Sequence, residues 1–188
     1  MSNLAKLELT DKLRKTVEGD DAVRCIVEAP RGATAKLKYD RALKAFVMGR
    51  ELMAGLEYPY DWGFLPSTSG EDGDPLDVVI LHDSASTSGT VIPSQIIGVL
   101  EIEQAEKDDK PRRNDRFFAV PIASHREDAL NSVDQLPERL RQELEQFFIS
   151  SAALENRNLN ILGWHGPERA KILLEQGAAR FARSQKNH

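Results

Sequence analysis

The apolar residues of this chain change period about two thirds of the way along, and that switch limits the folds open to it. Up to residue 123 they fall in short runs rich in β-branched and aliphatic side chains: AVRCIVEA at 22–29, AKLKYD at 35–40, KAFVMGREL at 44–52, LDVVILHD at 76–83, TVIPSQIIGVLEIE at 90–103 and RFFAVPIA at 116–123. Gly, Pro, Ser and Asp separate these runs, which therefore read as strands joined by turns. From Pro137 the spacing becomes three and four residues, through Leu136, Leu140, Leu144, Phe147, Phe148 and Leu154, as in an amphipathic helix whose first turn accepts the proline. A second helix follows Gly166-Pro167, with Ala170, Leu173, Leu174, Gly177, Ala178 and Phe181 on one face. Strands first and helices last predict an α+β domain: a small closed or partly closed antiparallel β-barrel with two C-terminal helices packed outside.

The length of 188 residues and the absence of a sustained composition shift predict a single domain over 1–188. A net charge of -5 argues against broad electrostatic binding of nucleic acid. The start, MSNLAKLELTDKLRK, reads as neither a signal core nor a transit peptide, and no stretch approaches the roughly 20 apolar residues that cross a bilayer. No membrane partner is expected. Cys25 is the only cysteine, so the chain forms no internal disulfide and a reducing cytoplasm suits it. Cys25 alternates with apolar residues in a strand and reads as a small core side chain, and His82, His125, His165 and His188 lack the paired spacing of a zinc site. Trp164 is expected to pack at the start of the last helix. The charged stretch QAEKDDKPRRND at 104–115 reads as a long surface loop.

The chemistry concentrates in YPYDWGFLPSTSGEDGDPLDVVIL at 58–81, where Asp72, Asp74 and Asp77 fall within six residues at the mouth of an apolar strand. That much negative charge against a core is costly unless cations share the site. Gly73 permits a positive φ and Pro75 fixes the start of the strand, so the three carboxylates can converge at one strand end. Hard oxygen ligands suit Mg²⁺ or Mn²⁺. The alternative is an acidic turn whose aspartates hydrogen-bond their own backbone. An EF-hand is excluded, because counting from Asp72 places Asp77 where the sixth-position glycine belongs.

With DGDPLD at 72–77, the sequence resembles the soluble family I inorganic pyrophosphatases, whose signature is Asp-Gly-Asp-Pro-hydrophobic-Asp. The resemblance runs from IVEAP at 26–30 through YPYDWGFLP at 58–66, GVL at 98–100 and AVP at 119–121 to DQLPERL and its QFF continuation at 134–148. It implies a small OB-like β-barrel with flanking helices, matching the periodicity. It also implies hydrolysis of pyrophosphate by a water that divalent ions, usually Mg²⁺, activate. On the matching positions, Asp72, Asp77 and Glu28 are metal ligands and Asp74, also at the metal, orients or deprotonates the attacking water. Lys36, Arg50, Tyr58 and Arg116 match substrate-binding positions. Family members are homo-oligomers, and the same is expected here without a defined size.

The chain departs from the family pattern at several positions. Lys38 stands where a glutamate is usual, and Trp62 replaces a tyrosine. Gln104 and Asn114 stand for two metal-binding aspartates, Arg116 for a lysine, and Ser151 and Ala152 for a tyrosine-lysine pair that grips phosphate. Glu103, Glu106, Asp108, Asp109 and Asp115 are candidates for a displaced carboxylate. The thinned ligand set predicts one or two tightly held ions rather than a full cluster. Three readings follow: a divergent Mg²⁺-dependent pyrophosphatase, a phosphohydrolase for another phosphorylated or diphosphate substrate, and a non-catalytic protein of this fold that binds phosphate or a protein.

Overall fold

A computed structural model describes residues 22–40, 42–106, 110–124, 130–153 and 155–186. The strands are β1 (Ala22–Ala29), β2 (Ala35–Asp40), β3 (Ala45–Glu51), β4 (Asp61–Leu65), β5 (Leu76–Ile80), β6 (Val91–Glu106), β7 (Arg112–Arg113), β8 (Arg116–Pro121) and β9 (Arg157–His165). The helices are α1 (Glu138–Ala153) and α2 (Pro167–Lys186). Five strands form a closed ring in the order β1-β4-β5-β8-β6, completed by the β6–β1 pairing. β7 and β9 lie along the far half of β6, and β2 and β3 form a separate two-stranded sheet. The expected α+β plan holds, with one difference: β5 and β8 are parallel, so the sheet is mixed rather than wholly antiparallel.

Alternation along the ring feeds two apolar clusters. Val78, Ile80, Phe117 and Ala119 join Cys25, Val27 and Ala170 of α2, while Val79, Phe118 and Val120 join Leu144, Phe147 and Phe148 of α1. Both helices use the faces that their spacing predicts. Cys25 is a fully buried core residue, and burial pushes its thiol up to about 12, which suits packing rather than nucleophilic chemistry. Leu154, His125, His188 and the opening segment lie outside the described residues.

Three strands, β4, β7 and β9, have no counterpart in the sequence reading. β4 is buried at all five positions, so it shows no alternation. β9 does alternate, but Asn158, Asn160 and Gly163 are poor strand formers, and an exposed Leu162 blurs the pattern. The expected loop at 104–115 is largely a hairpin: β6 continues to Glu106, and Arg112 and Arg113 pair with Gln104 and Glu103. Its charged side chains are compatible with a strand because alternate residues face outward. Trp164 packs on Phe118, with ring centroids 4.8 Å apart, and donates from Nε1 to Glu145 of α1 at 2.5 Å.

Gly63 allows β1 and β4 to approach closely, since a Cβ there would lie 2.0 Å from the Ile26 carbonyl oxygen. Both atoms in that clash belong to rigid ladders and cannot rotate away. Gly63→Ala is therefore expected to cost about 4 kcal/mol or more, seen as loss of the cooperative thermal transition by circular dichroism.

Glu101 of β6 joins α2 to β7, accepting from Arg169 Nε and Arg113 Nη2, each at 2.5 Å. Burial pushes its carboxyl pKa up, but these two guanidinium groups outweigh that and hold it below the ordinary range. A depressed carboxylate stabilises the fold above its unfolded pKa and loses that contribution as pH falls through the folded value. Glu101→Gln should lower the urea midpoint at pH 7, and the gap from wild type should close as pH is taken below about 4.

Candidate active site

The parallel β5–β8 register sets Asp77 directly beside Arg116, and the antiparallel β4–β5 register brings Phe64 to the other side of Asp77. Arg116 Nη1 donates to Asp77 Oδ2 at 2.6 Å, and the guanidinium lies 5.0 Å from the Trp62 ring centroid. Arg116 Nη1 also donates to Asn114 Oδ1, and Asn114 Nδ2 donates to Gln104 Oε1 at 3.0 Å. Gln104 and Asn114 thus form one hydrogen-bonded chain that ends on a fixed positive charge.

Across the cavity, β2 and β3 pair Lys36 with Arg50. Lys36 Nζ lies 3.2 Å from Glu28 Oε2, 3.7 Å from Asp77 Oδ1 and 5.4 Å from the Trp62 ring centroid. Burial alone lowers the Lys36 pKa, but Asp77 and Glu28 outweigh it and hold the ammonium above its ordinary value. Two residues along β2, Lys38 Nζ meets both oxygens of Asp74 at 3.0 and 3.2 Å. Arg50 pairs with Glu155 and donates to Ser151 Oγ at 3.1 Å. Glu155 and Arg157, 3.0 Å apart, are additions to the residues that the sequence singles out. Their position after α1 is legible only once β9 turns that segment back to the cavity.

The DGD turn combines the two readings weighed for it. Gly73 takes φ +88, and Asp72 Oδ1 accepts from the Asp74 amide at 3.1 Å, as in a self-bonded acidic turn. The same turn holds Asp72, Asp74 and Asp77 on one wall of a cavity of about 470 Å³. Glu28, Lys36, Arg50, Tyr58 and Arg116 line that cavity too, so all eight residues expected at the site come together. Of the displaced-carboxylate candidates, Asp115 turns away to Arg113 Nε at 3.0 Å, and Glu103 does not line the cavity. Asp108, Asp109 and the Glu106 side chain lie outside the description.

The cavity lining balances five carboxylates, Glu28, Asp72, Asp74, Asp77 and Glu155, with five cations, Lys36, Lys38, Arg50, Arg116 and Arg157. Asp72 has no ion-pair partner among the described residues. Burial, reinforced by Asp77 and Asp74, raises its pKa despite the Asp74 amide, and burial raises Glu28 despite Lys36. A cation at the Asp72 wall would relieve both the desolvation and the like-charge repulsion, so this donor set fits one hard divalent ion. Among the described residues no three acidic, cysteine or histidine side chains form a ready-made cage, because internal cations hold most of these carboxylates apart. Tyr58 is 2% exposed, and burial raises its phenol against the opposing pull of Lys36 and Arg50; Trp62 Nε1 is buried without a hydrogen-bond partner.

Comparison with known proteins shows what the chain as a whole resembles. Residues 25–182 match the inorganic pyrophosphatase family profile. An inorganic pyrophosphatase of Nostoc sp. is 34% identical over 155 residues, covering 82% of this chain and 88% of that protein. The inorganic pyrophosphatase of Thermus thermophilus is 32% identical over 186 residues, covering 97% of this chain and 98% of its own. The crystal structure of a Thermus thermophilus inorganic pyrophosphatase superposes with a TM-score of 0.81 at 30% identity, over 96% of this chain and 99% of that one. No helix among the described residues is long and apolar enough to cross a membrane. By sequence match, ring topology and the DGDPLD turn at one strand end, the chain belongs to the inorganic pyrophosphatase family, whose members are metal-dependent enzymes.

Proposed function

We propose that this chain, acting as one domain over 1–188, hydrolyses inorganic pyrophosphate to two phosphates with Mg²⁺, Mn²⁺ being the alternative ion. The observation that carries this reading is the single cavity in which Asp72, Asp74 and Asp77 face Lys36, Arg50 and Arg116. Asp72, Asp74 and Asp77 are the residues that would hold the ion, with Glu28 across the cavity against Lys36. When bound, the ion supplies Lewis-acid charge and lowers the pKa of water.

The remaining roles fall to the chain's own side chains. Lys36 and Arg116 hold phosphate oxygens, with the fork of Arg116 matching two oxygens of one phosphate. Arg50 reaches phosphate by exchanging its contacts with Glu155 and Ser151, and the neutral Tyr58 phenol donates. Asp74 is 62% exposed at its side chain, which leaves room for a water beside it, and it takes the proton as that water attacks phosphorus and the bridging P–O bond breaks. Small side chains at Ser151 and Ala152 leave space that an organic substituent can occupy, which favours a phosphorylated organic substrate as the second reading. The lone buried Cys25 suits a reducing cytoplasm. Exposed Leu43 and Met48, on and beside the β2–β3 sheet, support a homo-oligomer.

Phosphate release from pyrophosphate with Mg²⁺ should be abolished by EDTA and fall about 100-fold in Asp74→Asn. Equal rates for wild type and Asp74→Asn would overturn the assignment. Urea denaturation separates chemistry from folding. The exposed Lys38–Asp74 pair contributes little, so Asp74→Asn should change stability by no more than about 0.5 kcal/mol. Asp77→Asn leaves Lys36 and Arg116 without their shared counter-charge and should cost about 3 kcal/mol.

A further inference from the structure

We propose that Arg116 and Lys38 are resident cations standing in for divalent ions, so that the cavity captures a phosphate-bearing anion with no metal present and metal is needed only for the chemical step. This rests on the reading of the cavity as a phosphate site, not on turnover.

The carboxylate that the Gln104–Asn114–Arg116 chain meets is Asp77, whose Oδ2 already accepts from Arg116 Nη1. A divalent ion drawn to the Asn114 oxygen would meet the guanidinium on the same atom, and like charges at that separation repel strongly in a half-buried site. Arg116 itself is 7% exposed, and its hydrogen bonds all run from Nη1, which leaves Nε with no acceptor. Trp62 Nε1 is also buried without a partner. Arg116, Lys36, Lys38 and Arg50 present guanidinium and ammonium groups to one cavity, and that donor set suits a ligand rich in oxygen and negative charge.

Lys38 supplies the complementary part. Its pair with Asp74 is more than half exposed on both sides, so an incoming oxyanion can share or take the ammonium at little cost. Formal charge over the cavity lining is balanced, so an anion approaches without the acidic barrier that an ion-trapping site would present.

The test uses the purified full chain in EDTA, titrated with inorganic pyrophosphate by calorimetry. Tryptophan emission is followed in parallel, since Trp62 lies against Arg116 and Trp164 is the only other tryptophan. Saturable one-to-one binding is expected in EDTA, at least 10-fold weaker in Arg116→Gln and in Lys38→Gln. Lys38 is exposed, so its variant keeps the test sound if Arg116→Gln fails to fold by circular dichroism. Binding that appears only after Mg²⁺ is added, or that is unchanged in Lys38→Gln, overturns the inference. Metal-free binding without phosphate release on adding Mg²⁺ sustains it and removes the pyrophosphatase reading, whereas Mg²⁺-dependent release without metal-free binding does the reverse.

Discussion

A carboxylate and a guanidinium on adjacent parallel strands, 2.6 Å apart beneath an indole, set the electrostatics of the whole cavity. The contact follows from the backbone: once β5 and β8 pair in register, Asp77 and Arg116 are neighbours whatever else occupies the site. Trp62 from β4 then covers the guanidinium, and Lys36 approaches the same ring and the same carboxylate. Each member is there because another neutralises or shields it, which is how a buried cation becomes tolerable.

The consequence is a cavity that answers its own charges. Glu28, Asp74, Asp77 and Glu155 each have an internal partner, so most of the negative charge that the sequence concentrates is already met by lysine and arginine. Asp72 stands apart, with no ion-pair partner among the described residues, and burial first, then Asp77 and Asp74, push its carboxyl up. Gln104 and Asn114 carry no charge, and Lys38 adds a positive one, so the acids of this cavity find their partners among its own lysines and arginines.

How far the sequence could be read depended on where the signal lay. The DGDPLD turn was legible because positive φ at Gly73, the proline and the strand start act within a few residues. The two helices declared themselves through spacing that a solvated face requires. β4 did not, because a strand buried on both faces shows no alternation, and β9 did not, because its asparagines and glycine suit turns and only pairing with β6 overrides them. At the site, residue identity pointed to the lining but not to its pairing: that Lys38 meets Asp74, or that Arg50 is held by Glu155, depends on strands brought together from distant parts of the chain. Glu155 and Arg157 carried no local signal, since their approach to the cavity depends on β9.

The two-stranded β2–β3 sheet carries Lys36, Lys38 and Arg50, while the acidic wall belongs to the ring. A two-stranded hairpin has little stability of its own, whereas a closed ring has no free edge along its own circuit. The cavity is therefore a junction between a stiff frame and a softer ribbon, clasped by the Lys36 and Lys38 ion pairs. A ligand that bridges the two walls adds a cross-link to the ribbon, so occupancy of the site and the mechanical order of the hairpin rise and fall together.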